Sequence, residues 1–188
     1  MKGNSVATVF VDHGNRLSYV HLQKSTSSED TVEAKISFKA YAKQYGVSIF
    51  HYHADNGRFA DDLFMRHVKQ SKQTITFCGV NAHFQNGIAE RRIRDLQEGG
   101  RKLLLHAKSR WREVFTEHLW PYALKTYNDQ ANQGSSKLER FTKVKVSPNL
   151  KGIHTWRCPI FALDTSLQSD WVCTLETHQD MPAQFFLS

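Results

Sequence analysis

Two carboxylates carry the chemistry that this sequence offers. Asp55 and Glu90 are separated by 34 residues, and each sits in a distinctive frame: His53-Ala54-Asp55-Asn56-Gly57, and Asn86-Gly87-Ile88-Ala89-Glu90-Arg91-Arg92. Asp55 follows an apolar, strand-like run from Val47 to His53 and precedes an Asn-Gly turn, while Glu90 opens a basic helix after a polar loop. A carboxylate at a strand end and another in a first helical turn can converge on divalent cations. Hard oxygen donors of this kind suit Mg²⁺ or Mn²⁺, which keep several waters and need few protein ligands. The chemistry they would serve is transfer at a phosphodiester, where two ions roughly 4 Å apart neutralise the attacking and leaving oxygens. An Asp-Asn-Gly triplet alone is more often a tight turn, and a Glu in a first helical turn often only suits the helix dipole. Their joint occurrence in these frames is what points to a metal site. A zinc reading from His51, His53, His83 and Cys78 is weaker, because no paired ligand spacing appears.

The elements that must position these residues read as an α/β pattern. Val6 to Val11 and Leu17 to Leu22 predict a hairpin around His13-Gly14-Asn15. Thr26-Ser27-Ser28-Glu29 has capping-box form, with Thr26 as the cap and Glu29 reaching back. A helix should follow to about Tyr45, with Val32, Ile36, Tyr41 and Tyr45 on its apolar face and Gly46 ending it. Val47 to His53 predicts a strand, Phe59 to Lys69 a short helix and Thr74 to Cys78 another strand. A helix carrying Glu90 should run to about Lys108, and Pro121 should start or kink the next, between Trp111 and Asn132. Gln133-Gly134-Ser135-Ser136 is the best linker, dividing a domain at 1–133 from an extension at 134–188 that holds a short β-rich module at about 138 to 168.

From Ala7-Thr8-Val9-Phe10-Val11-Asp12-His13 through the two acidic frames to His118-Leu119-Trp120-Pro121-Tyr122-Ala123, the chain resembles the catalytic core of retroviral and retrotransposon integrases. Its closest likeness is the copia-type branch, with a weak continuation at Ser147 to Lys151 and His154 to Pro159. The resemblance implies an RNase H-like fold, a mixed sheet flanked by helices, and an ancestral activity of DNA end processing and strand transfer with Mg²⁺ or Mn²⁺. It gives Asp55 and Glu90 the second and third positions of the family's acidic triad, with both as metal ligands. The family's first aspartate lies on a strand before the one spelled Ala7 to His13, so the resemblance implies an N-terminally truncated copy, impaired in catalysis. Asp12 completes an apparent Asp, Asp, Glu series, but this alignment puts it at the turn end of the second strand. DNA is the implied partner, with Asn86, Arg91, Arg92, Arg94, Gln97, Arg101 and Lys102 as contact residues, Arg94 and Gln97 on the face of Glu90. The family also implies action in the nucleus and a homo-oligomer. The alternative reading is a non-catalytic nucleic-acid-binding module. Two departures stand out: no proline in Val80 to Gln85, and Gly99-Gly100 in mid-helix, at about 1 kcal/mol per glycine relative to alanine.

Charge fits a polyanionic partner. The net charge of +7 is uneven: residues 91 to 112 hold eight Lys/Arg against Asp95 and Glu98, and 137 to 157 hold six against Glu139. Residues 158 to 188 contain four acids and no Lys or Arg. Basic density beside the acidic pair is where a phosphate backbone would be held. No apolar run reaches 18 residues and no signal segment opens the chain, so the sequence reads as soluble and intracellular, without membrane partners. Cys78, Cys158 and Cys173 share no metal or disulfide spacing and read as plain thiols.

Overall fold

The structure, a computed structural model, describes residues 4–55, 57–79, 86–112, 117–133 and 137–145. The chain divides into a unit from Met1 to Trp156 and a second from Arg157 to Ser188. The second unit lies outside the described residues, as do residues 146–168 of the expected β-rich module. Residues 137–142 of that stretch are helical.

Strand β1 (Val6–Val11) pairs antiparallel with β2 (Ser18–Gln23), Val9 opposite Val20 and Phe10 opposite Tyr19. The β1 strand is rich in β-branched residues (Val6, Thr8, Val9 and Val11), and the hairpin turn is fixed by Asp12, whose carboxylate accepts the backbone N–H groups of Gly14 (3.1 Å) and Asn15 (2.8 Å). Helix α1 (Ser28–Gln44) follows. Its cap lies one residue later than the sequence suggests: the Ser27 hydroxyl accepts the N–H of Asp30 at 3.1 Å. The reach-back is made by Asp30 rather than Glu29, its carboxylate taking both the N–H and the hydroxyl of Ser25. Tyr45 and Gly46, at φ 71°, end the helix as expected.

The buried face of α1 is also rotated from the expected one. Thr31, Ala34, Lys35, Phe38 and Ala42 face inward, whereas Ile36 is 50% exposed. The reason is the aromatic layer beneath: Phe38 stacks on Phe10 with centroids 4.6 Å apart and lies 5.5 Å from Tyr19, and Phe10 meets Tyr52 edge-on at 6.4 Å. Each such pair adds about 0.5–1.5 kcal/mol beyond its burial. Lys35 passes through this layer with its ammonium 5.7 Å from the Tyr52 ring, 3.1 Å from Nδ1 of His67 and 3.3 Å from the Ser71 hydroxyl. Burial and the nearby Lys39 pull its pKa down to about 8. The His67 pKa is lowered by burial and then by Lys35, which leaves a neutral Nδ1 to accept from the ammonium.

Strand β3 (His51–Ala54) starts later than the apolar run that predicts it, and pairs parallel with β4 (Thr74–Phe77). Between them helix α2 (Asp62–Gln70) is capped by Asp61 and buries Phe64 and Val68 against the α1 side. The four strands therefore form two sheets of two strands each, one antiparallel and one parallel, so the mixed pairing is present but not joined across β1 and β3.

Helix α3 (Gly87–Arg110) lies along α4 (Trp120–Gln133), and both pack on the hairpin through Val20, Leu96 and Leu124. Pro121 sits at the start of α4, where its missing N–H breaks no helical bond. The paired glycines of α3 have a packing reason. A Cβ on Gly99 would fall 2.3 Å from ring carbons of Tyr127, and one on Gly100 would meet the backbone of Leu124 at 3.4 Å. They permit the close approach of the two helices, which offsets their poor helix propensity. A short helix α5 (Lys137–Thr142) packs against α4.

Candidate functional site

A cleft of about 800 Å³ occupies the space between the two sheets. Ser5 to His13 line one wall and Val47 to Asp55 the other, with Asn86, Ile88, Ala89 and Gln97 bringing in the start of α3. Asp55 stands exposed at the end of β3, and Glu90 stands exposed in the first turn of α3, one residue beyond the lining residue Ala89. The strand end and the helix start that carry the two predicted carboxylates thus border one cleft. Each position has a local cause. β3 stops where Asp55 and Gly57 turn the chain into a 3-10 turn at Arg58–Ala60, and α3 starts at Gly87, placing Glu90 where the helix dipole favours an anion.

A Cβ at Gly57 would touch the Asp55 carboxylate at an ordinary 3.7 Å. Asn86 is half-buried at the N-cap of α3 and makes no side-chain cap hydrogen bond. Asp12 lines the cleft too, but its carboxylate closes the hairpin turn, as its place at the turn end predicts. Among the described residues, no three His, Cys, Asp or Glu side chains gather closely enough to hold a metal ion.

The basic helix sorts its residues sharply. Arg91, Arg94, Gln97, Arg101 and Lys102 are exposed. Arg92, expected on the same DNA-binding face, is buried at 7% exposure. Its Nε donates to the Ser18 hydroxyl at 2.8 Å, one terminal nitrogen donates to Asp95 and the other to Oδ1 of Asn128 at 3.2 Å. Asn128 and Asn132 each donate from Nδ2 to the Ser18 carbonyl, at 3.0 and 2.6 Å, and the Tyr127 hydroxyl donates to Asp95 at 3.1 Å. Arg92 is thus the hub of a network that ties α3, α4 and β2 together. The sequence signals for it were the spacing of Arg92 and Asp95 by three and of Asn128 and Asn132 by four on their helices.

His51 and His53 share the exposed face of β3, as their alternation predicts. His51 Nδ1 lies 2.8 Å from the Thr74 hydroxyl, His53 Nδ1 lies 2.9 Å from that of Thr76, and His53 Nε2 is 3.5 Å from the Cys78 sulfur. The described members form a hydrogen-bonded ladder and no metal cluster; His83 lies outside the described residues.

No protein-family model matches this chain. No curated protein matches it either. Solved structures do. The catalytic core domain of HTLV-2 integrase in complex with magnesium, in its dimeric form, aligns with a TM-score of 0.51 at 17% identity, over 72% of this chain and 83% of that one. The catalytic core domain of BIV integrase gives 0.51 at 18%, over 72% and 84%. A chain of the simian T-cell lymphotropic virus intasome, bound to a PP2A regulatory subunit, gives 0.55 at 17%, over 83% of this chain and 53% of that one. The present chain spans about half the length of that intasome chain. The class is an α/β, RNase H-like fold. In particular, the chain has the fold of retroviral integrase catalytic cores.

Proposed function

We propose that this chain is an integrase-core-like domain of copia-type retrotransposon descent that binds DNA along the exposed face of α3. The observation that supports it most is the placement of Asp55 and of the first turn of α3 around one cleft, beside the exposed Arg91, Arg94, Gln97, Arg101 and Lys102. A phosphate backbone laid along that face would meet cations first and the two carboxylates at its end.

The donor set suits a hard cation. Asp55 and Glu90 are exposed oxygen donors, and Mg²⁺ or Mn²⁺ is commonly held by one or two carboxylates with the remaining positions filled by water and substrate phosphate. A divalent ion there would neutralise charge on phosphate oxygens. As the resemblance implies, the proposed domain binds DNA with its end-processing and joining activity impaired. Action in the nucleus and self-association complete the proposal by analogy with the resembled family.

The test is a nicking and strand-transfer assay on labelled duplex DNA with Mg²⁺ or Mn²⁺, alongside Asp55→Asn and Glu90→Gln, with DNA binding measured on the same samples. The proposal expects salt-dependent binding with little or no product in all three proteins. Robust metal-dependent product, lost in both variants, would show a working site and overturn the impairment. Absence of DNA binding at low salt would overturn the whole reading.

A further inference from the structure

A second concentration of positive charge lies on α1 and α2, apart from α3. Between Ala34 and Ala54, and again between Leu63 and Phe77, the chain has no Asp or Glu but holds Lys35, Lys39, Lys43, Arg66, Lys69 and Lys72. The fold brings most of these together. Ser28 at the start of α1 hydrogen-bonds the Asp61 side chain at the start of α2, and further along Lys35 meets His67 and Ser71, so the two helices run parallel. Their C-terminal ends therefore share one edge of the domain. The turns that follow are tied to each other: Gln73 donates from Nε2 to the Ile49 carbonyl at 2.6 Å, and the Thr74 N–H donates to that of Phe50 at 2.9 Å. Lys39 and Lys43 come to this edge on α1, Lys69 and Lys72 on and just after α2, and all four are exposed. Both β3 and β4 start here, so Asp55 lies toward the opposite edge, about 13 Å away along a strand of four residues.

Lysines near a helix C-terminus often only complement the dipole, but two such ends together carry about one negative charge, too little for these four. No acid answers the cluster either: the one ion pair among the described residues joins Arg92 to Asp95. Beneath the exposed lysines, Lys35 is 0% exposed, and its neighbours are an imidazole, a hydroxyl and an aromatic ring rather than a carboxylate. Burying an ammonium without an acid is costly, and an anion bound at this edge would offset part of that cost. We propose that the shared C-terminal edge of α1 and α2 is a second nucleic-acid surface, which takes a phosphate backbone on Lys39, Lys43, Lys69 and Lys72 independently of α3. The residue types select the partner. Lysine is depleted from protein–protein interfaces, and as a point charge without a planar fork it suits phosphates rather than base edges, so recognition here is independent of base sequence. The inference rests on this edge alone and not on the reading of Asp55, Glu90 or α3.

The test is acetylation footprinting of the full chain, in which mass spectrometry follows how fast each lysine is modified with and without a short duplex DNA of random sequence. It is run beside a protein carrying Arg91→Gln and Arg94→Gln, which weakens the α3 face. Lys39, Lys43, Lys69 and Lys72 should be protected by DNA in both proteins, while Lys24, exposed near the other end of α1, is not. In the arginine-substituted protein, Lys39→Gln, Lys43→Gln, Lys69→Gln and Lys72→Gln combined should flatten the slope of log affinity against log salt by about 2–4, at about 0.9 for each lysine on a phosphate. The urea midpoint should not move, because all four side chains are exposed. Protection lost together with the α3 arginines would mean one DNA path extending from α3 and overturn an independent surface. Displacement of the DNA by polyglutamate as readily as by polyphosphate would overturn a phosphate partner in favour of an acidic protein, and unprotected lysines with an unchanged slope would refute the site altogether. If the arginine variant binds DNA as tightly as the native chain while the four lysines stay protected, the α3 reading fails and this one stands.

Discussion

Neutralising neighbouring arginines on α3 should produce two opposite phenotypes. Arg92 is 7% exposed and donates to Ser18, Asp95 and Asn128, so Arg92→Met deprives three polar partners at once. Charged hydrogen bonds contribute about 1.5–3 kcal/mol each, but methionine retains much of the volume and Asp95 is 48% exposed and regains water. The net loss should be about 3 kcal/mol, comparable to breaking a buried ion pair. Arg91 and Arg94 are exposed, so Arg91→Gln and Arg94→Gln should change stability by less than about 0.5 kcal/mol. On DNA the order reverses. Each exposed arginine that touches a phosphate contributes about 0.9 to the slope of log affinity against log salt, and its removal should flatten the slope by that much. Urea unfolding and a salt titration of duplex binding on the three variants check this. A reduced salt slope in Arg92→Met with unchanged unfolding would refute the assignment of Arg92 to the interior.

Other outcomes follow from single contacts. Gly99→Ala should destabilise by about 1–2 kcal/mol despite its better helix propensity, because its Cβ meets the Tyr127 ring, and Gly99→Ala with Tyr127→Leu should recover most of the loss; stabilisation in the single variant, read by thermal or urea unfolding, would remove the close approach. Ser27→Ala should lose about 1 kcal/mol while Thr26→Ala stays near zero, a comparison by urea midpoints that tests where α1 is capped. Lys35 has a folded pKa of about 8 against an ordinary 10.5, so the unfolded chain holds more protons between these values. Stability should therefore rise with pH across that window, by at most about 3 kcal/mol, and Lys35→Met should flatten the rise; an unchanged profile would place the ammonium in water.

Much of the architecture was legible because it is written in local chemistry. Asp12 with Gly14 and Asn15 spelled a turn, Gly46 a helix end and Pro121 a helix start, and each holds in the structure. What failed was the phase. The face of α1 depends on which residues meet Phe10, Tyr19 and Tyr52, so Ala34 and Phe38 displaced the more hydrophobic Ile36, a choice made by tertiary packing. Gly99 looked like erosion because its partner Tyr127 is distant in sequence, and Arg92 looked like one more surface cation because Ser18 and Asn128 are too. At the candidate site, the setting of Asp55 at a strand end and Glu90 in a first helical turn was readable from the turn signals around them. That β1 and β3 stand apart could not be read from either strand, since pairing is a property of both edges.

The anchoring of Ser18 by Asn128 and Asn132 bears on how the chain reaches its fold. These bonds span 110 and 114 residues, and closing a loop of that length in a flexible chain costs about 4 kcal/mol of entropy before any contact rewards it. The α4 side chains that hold the hairpin are synthesised after it, following about 5–20 s of further elongation at ordinary translation rates. Until then the apolar face formed by Val9, Val20 and Leu22 has no α4 to cover it. Folding of this domain should accordingly be slow for its size, and the nascent hairpin exposed to aggregation or to a chaperone through that interval.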